Sequence, residues 1–275
     1  MSTKYRKGSS TGRPSITVYV TKKQPTKGSG RIPHRVTAKV DGVTRSVQTD
    51  VCELPGVPRL FNVRGGEQLV SPLLQHTGTA GLVFAFKGPP ASKAGSYCMT
   101  NAHVVAEPDD SSSSPVVTQS GGAGVVVRRD PLEVGALIIS DAALIRLTGV
   151  VIDSWMVYNS QQKVNNWADN LAIGQICFYN ALSNGTHFTF KCQLIAFVDG
   201  ATPVDVEGSI LMYGSFYRFS VLNGSPVGGH SGSLLYIPTP GGLLGAGLAF
   251  GGIEGSEIWA FPVRRCYESM GHFFD

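Results

Sequence analysis

Apolar and polar residues alternate over short stretches along most of this chain. Ile16, Val18 and Val20 form one such run, and Val36, Ala38 and Val40 form another. Side chains of a strand point alternately to its two faces, so this two-residue period predicts half-buried strands. Asp41-Gly42, a dipeptide suited to the positive φ of a tight hairpin, separates the second run from the apolar positions of 43–51. Further runs follow at 82–86, 142–147, 176–178, 188–194, 210–213, 216–221, 234–237, 245–250 and 258–261. After Pro262 the pattern changes: residues 263–270 have helical composition and Gly271 stands where a helix would stop. The expectation is an all-β fold with one C-terminal helix.

Punctuation by glycine and proline suggests the divisions. Residues 1–13 have the composition of a disordered basic tail, and 14–60 read as a small β-rich appendage. Pro55, Gly56, Pro58, Gly65 and Gly66 read as a linker, and 70–275 as the main domain. Within it, β-rich blocks at about 75–150 and 173–261 are joined by a crossing segment, 151–170, with the helix at 263–271. The stretch 107–114, with two aspartates and four serines in a row, reads as a polar surface loop.

Composition fits a folded, soluble-type core: 42% of the 275 residues are hydrophobic and 15% charged. No stretch approaches the roughly 20 apolar residues of a membrane span. The start, Met1 to Ser10, lacks the apolar centre of a secretory signal, which leads to the expectation of a cytoplasmic protein or a cut precursor. Five cysteines, an odd number without a C-x-x-C pair, suit reduced thiols; Cys177 and Cys192, flanking a hairpin at Asn184-Gly185, are the one candidate disulfide. No His/Cys cluster has metal-ligand spacing, so neither metal nor cofactor is expected. The net charge of +4 is uneven: residues 1–50 hold 11 basic residues against two acidic, and the remaining 225 hold 12 against 17. Such an arm suits nucleic acid or an anionic partner, and equally a solvated surface docked on its acidic neighbour; no nucleic-acid-binding motif accompanies it.

The chemistry concentrates in three places. Gly229-His230-Ser231-Gly232-Ser233 leads into the apolar run 234–237. Glycine at 229 permits a sharp turn that aims two N–H groups, those of Gly229 and Ser231, at one point where an oxyanion could form. A hydroxyl needs a base to become nucleophilic at neutral pH, and the base needs a carboxylate to fix its tautomer. His103, in Thr100-Asn101-Ala102-His103-Val104-Val105, and Asp141, in Ser140-Asp141-Ala142-Ala143-Leu144, supply these upstream, 38 residues apart, with Ser231 another 90 on. Asp109 and Asp110 are rival acids, but they sit in a polar loop, whereas Asp141 heads an apolar strand.

TNAHVV, SDAALIRL and GHSGSLL resemble the three catalytic blocks of the chymotrypsin-fold serine peptidases. More narrowly, the N-terminal stretch ITVYVTKKQP…RIPHRVTAKVDGVTRSVQTDVCEL, with GTAGLVF and LLGAGLAFGG, resembles intracellular bacterial trypsin-like peptidases related to the plant narrow-leaf protease. The resemblance implies two six-stranded antiparallel β-barrels and a serine endopeptidase acting on polypeptides through His103, Asp141 and Ser231. It also implies that Phe250-Gly251-Gly252 pairs with the extended substrate and that Ser225 lies at the base of the specificity pocket. A serine there carries no charge, so a neutral, small-to-medium apolar or aromatic P1 residue is expected; Glu254 and Glu257, expected as exposed loop charges, would spoil that preference if either turned inward. Position 230 departs from the pattern. It is His where most members have Asp, which removes the ion pair that a newly cut N-terminus would make. A partly buried histidine meeting a backbone carbonyl is the expectation there, with an alternative base as the rival. Two further readings stay open: a viral polyprotein or capsid protease with a basic nucleic-acid-binding arm, and a catalytically silent protease fold serving as a binding module.

Overall fold

The structure is a computed structural model that describes residues 2–6, 9–20, 32–40, 43–53, 62–110, 115–157, 160–183, 185–206, 208–271 and 273. The chain divides into two compact units, Met1–Val57 and Pro58–Asp275. In the first, four strands lie in the order Ser2–Arg6, Ser9–Val20, Val43–Glu53, Arg35–Val40. The central pair is parallel and the outer pairs antiparallel, with Val18 opposite Val51 and Val36 opposite Val47. Residues 2–6 and 9–13, read from composition as a disordered tail, are therefore strand. Their serines and threonines pair through main-chain groups, which an apolar pattern does not register. Asp41-Gly42, the Pro55-Gly56-Pro58 part of the linker and serines 111–114 lie outside the described residues. Gly65 ends the strand Asn62–Gly65, which pairs in parallel with Val151–Val157 rather than serving as linker.

The second unit holds the two large sheets. The strands Gly242–Ile253, Leu234–Thr239, Ile176–Ser183, Thr186–Val198, Phe216–Val221 and Glu257–Pro262 neighbour one another in that order, and the last pairs back with the first. This closes a six-stranded barrel; Val164–Trp167, from the crossing segment, adds a seventh strand alongside. The other sheet runs His76–Thr79, Gln68–Ser71, Val116–Thr118, Ala123–Arg129, Ala143–Thr148, Gly95–Thr100, Leu82–Phe86. It is curved but not hydrogen-bonded shut. Its two ends are consecutive in sequence, broken at Ala80-Gly81, where Ala80 N–H turns to the Glu67 carbonyl (2.8 Å) and Gly81 N–H to that of Met99 (2.9 Å).

Three apolar clusters hold this unit together. One fills the closed barrel around Tyr179, Phe190 and Phe219, and one fills the first sheet around Leu69, Val83 and Ile145. The largest joins the two, with Phe84, Tyr97 and Met99 on one side and Tyr213, Phe250 and Phe261 on the other. The helix Val263–Gly271 buries Val263, Cys266 and Met270, the i, i+3, i+7 stripe of an amphipathic helix, against this shared core. Cys177 and Cys192 stand directly opposite each other but are free thiols, and burial pushes that of Cys177 up to about 12.

Candidate active site

Asn101, Ala102 and His103 follow directly on the strand Gly95–Thr100, and Asp141 directly precedes Ala143–Thr148, its antiparallel neighbour. Register across that pair brings the two side chains together: His103 Nδ1 lies 2.6 Å from Asp141 Oδ2. The carboxylate is fully buried, and the fold satisfies it. Oδ1 accepts the N–H groups of Ala102 (2.7 Å) and His103 (3.2 Å), and Oδ2 also accepts the Tyr213 hydroxyl (3.0 Å). Burial alone would raise the Asp141 carboxyl, but His103, Tyr213 and the backbone donor together hold it below the usual carboxylate range. Tyr213 is driven the other way by burial and by the neighbouring charge of Asp141, so it stays a protonated donor.

The strand carrying Asp141 is tied down at its head. Asp130 exchanges main-chain and side-chain bonds with Ala142 (2.8 and 2.9 Å), and its second oxygen accepts Ser269 Oγ from the C-terminal helix (2.5 Å). The rival acids play other parts: the Asp109 carboxylate accepts the Val134 N–H (3.0 Å) in the surface loop.

Ser231 is presented by the turn between Val221 and Leu234. Gly232, with φ of +90°, approaches the first sheet so closely that a Cβ would sit 2.2 Å from both Thr79 O and Thr100 Oγ1. No other residue fits there. Thr79 completes the seam, donating its N–H to Ser231 O (2.7 Å) and its hydroxyl to Gly229 O (2.8 Å). Among the described residues the N–H groups of Gly229 and Ser231 donate to no protein acceptor. The Ser231 hydroxyl donates to the Phe250 carbonyl (3.3 Å) rather than to the His103 imidazole. The Phe250 ring in turn stacks on Tyr213 at 4.8 Å, so the acceptor of the Ser231 hydroxyl and the donor to Asp141 share one aromatic contact.

His230 is almost fully buried, its ring 4.8 Å from that of Phe190, and its Nδ1 lies 3.4 Å from the Tyr179 hydroxyl. Nε2 makes no well-formed hydrogen bond, although the Leu182 backbone lies beside the ring. Burial, opposed in part by that backbone, lowers this imidazole to about 4. It is a neutral core residue facing aromatic rings.

A cavity of about 250 Å³ opens beside Ser231, lined by Pro226, Gly251, Gly252 and Ile258 together with Glu254 and Glu257. Two expectations change here. Ser225 is exposed and does not line it; Pro226 does, its carbonyl held by the Gly255 N–H at 3.1 Å. Glu254 and Glu257 both line the wall; Glu254 is exposed, as read from the sequence, whereas Glu257 is half-buried. Gly251 and Gly252 line the cavity, while Phe250 meets Ser231 through its carbonyl. Tyr213 and Thr79 were not singled out as site residues in sequence. The alternation of Ser209–Tyr213 marks Tyr213 only as core, and nothing local reveals its hydroxyl's partner. Among the described residues no group of three or more His, Cys, Asp or Glu is placed to hold a metal ion.

No protein-family model matches the chain, and no curated protein sequence does. Solved structures do. A protease of Nocardiopsis aligns over 77% of this chain and 97% of its own, with a TM-score of 0.53 at 18% identity. Thermobifida fusca protease A gives 0.53 at 14% identity over the same shares. A glutamic acid-specific serine protease, described as using a histidine triad in substrate binding, gives 0.51 at 18% identity over 76% and 98%. The likeness is one of fold: this is the two-barrel architecture of the chymotrypsin-like serine proteases.

Proposed function

We propose that the chain is a serine endopeptidase. The observation that carries this reading is the fully buried Asp141 bonded to His103 at 2.6 Å, next to a turn whose Gly229 and Ser231 N–H groups are unused. A scaffold has no physical need to bury a carboxylate against an imidazole there. In the proposed reaction Ser231 Oγ rotates from the Phe250 carbonyl to His103 Nε2, gives up its proton and attacks the scissile carbonyl. The oxyanion is received by the N–H groups of Gly229 and Ser231, each such donor being worth roughly 100- to 1000-fold in turnover. Imidazolium, steadied by Asp141, then protonates the departing amine, and water repeats the sequence on the acyl-enzyme. Gly251 and Gly252 would pair with the extended substrate backbone by strand addition.

A fluorophosphonate probe tests this directly. Labelling of the wild-type chain that disappears in Ser231→Ala supports the enzyme, and a folded wild-type chain that takes no label supports the silent binding module. The one observation on the module's side is the serine hydroxyl's bond to Phe250 instead of to the imidazole. The narrower kinship with intracellular bacterial peptidases, and a cytoplasmic site of action, belong to the same proposal and rest on the sequence segments quoted above. The basic first 50 residues and His230 are what favour the viral reading.

A further inference from the structure

Taking Ser231 as the nucleophile, we propose that Arg218 determines primary specificity, by cancelling the charge of Glu257 and keeping the pocket neutral. Two carboxylates on the wall of the cavity beside Ser231 would ordinarily recruit a lysine or arginine side chain. One of them is already engaged. Arg218, on the strand Phe216–Val221, grips Glu257 with both prongs: Nη2 to Oε1 at 2.7 Å and Nε to Oε2 at 2.9 Å. Trp259 Nε1 donates to Oε2 as well, at 2.9 Å. Arg218 itself does not line the cavity. It stands opposite Trp259 in the sheet, its guanidinium 5.9 Å from the indole ring, so the fork is held flat and in place.

A lysine entering this pocket meets a carboxylate that already accepts three donors and whose charge is balanced by a cation. Its own charge would be desolvated against a group already neutralised. Glu254 is exposed, and water screens its field. What remains is apolar: Pro226 and the buried Ile258, which pairs with Gly252 across the wall. Neutral side chains of moderate size fit that surface.

The arrangement implies reciprocal switches. Arg218→Leu unmasks Glu257 and should raise the ratio of kcat/KM for Lys over Leu at P1 by roughly tenfold to hundredfold, one charge-assisted hydrogen bond. Glu257→Gln, nearly isosteric and still readable if the leucine variant does not fold, leaves the guanidinium unpaired and should move preference toward Asp and Glu. The double variant should return to neutral P1 residues. The measurement is a P1 peptide library on the full chain, with active sites counted by fluorophosphonate. Wild-type cleavage after neutral residues, with both single variants keeping the same ratios within about twofold, overturns the role of Arg218 and leaves the peptidase reading intact. A wild-type enzyme that already prefers Lys or Arg overturns it too. Absence of labelling and cleavage in every form removes the peptidase reading, and this inference with it.

Discussion

On the first sheet, every oxygen lone-pair direction that matters is spoken for: Asp141 receives four donors from His103, Ala102 and Tyr213. On the closed barrel, the Ser231 hydroxyl has one long bond, to the nearest carbonyl, and two idle N–H groups flank it. The difference follows from burial. A carboxylate taken wholly out of water is costly unless fully bonded, so the fold must build its partners in. A half-buried hydroxyl is satisfied by any acceptor in reach, and staggered rotamers separate the choices. The Asp141 side is thus preorganised by the fold, whereas the Ser231 hydroxyl is held by a single bond to the Phe250 carbonyl.

That contrast can be broken from either side. Asp141→Asn should lower kcat on a peptide substrate by a factor on the order of 10⁴, because the amide stabilises the wrong imidazole tautomer. A loss under tenfold would mean that the buried pair is architectural. Gly232→Ala attacks the seam: the added Cβ would collide with Thr79 O and Thr100 Oγ1 at a φ of +90°. Destabilisation above about 2 kcal/mol in urea unfolding is expected, and a folded variant of wild-type stability would show that the turn can withdraw. Tyr213→Phe removes one donor to a charged acceptor and should cost roughly tenfold in kcat/KM. A Tyr213 hydroxyl without a part in the chemistry would leave kcat/KM unchanged.

The smallest effect compares the two halves through one buried titratable group each. His230 is held down to about 4 from 6.5, mainly by burial. As pH falls from 6.5 toward 4 the unfolded chain takes a proton that the folded one refuses, and stability drops. Glu67, buried in the first sheet with Oε2 unpartnered, is raised from 4.5 to about 7 by burial against the opposing Ser120 backbone bond. As pH rises from 4.5 to 7 the unfolded chain releases a proton that the folded one keeps, and stability again drops. The slopes oppose each other, each on the order of 3 kcal/mol across its window. His230→Phe should therefore make the urea midpoint fall between pH 5 and 7, and Glu67→Gln should make it rise. Parallel pH curves for both variants would contradict these burial effects.

Much of the candidate site was readable before any fold was known, for reasons that differ by residue. His103 and Asp141 each stand at the end of an apolar strand, and position relative to a strand is a local property. Ser231 announces itself through Gly229 and Gly232, both at a φ of +90°. Ser225 misled because counting back from the nucleophile takes no account of the fold of the intervening turn, which sets Pro226 against the cavity instead. Glu257 misled because a carboxylate near a hairpin looks solvated until its partner is seen. In the first sheet the bend at Ala80-Gly81, where pairing passes from Glu67 on one side to Met99 on the other, was not legible from alternation alone.

Alternation of side chains and the placement of glycines act over a few residues, so the chain by itself determined its strands, its C-terminal helix and which residues are candidates for chemistry. Which groups those residues meet is another matter. Tyr213 reaches Asp141 from 72 positions away, and Arg218 reaches Glu257 from 39. Charge neutralisation and hydrogen-bond saturation depend on distance in space, and only the closed barrel and the core it shares with the first sheet set those distances.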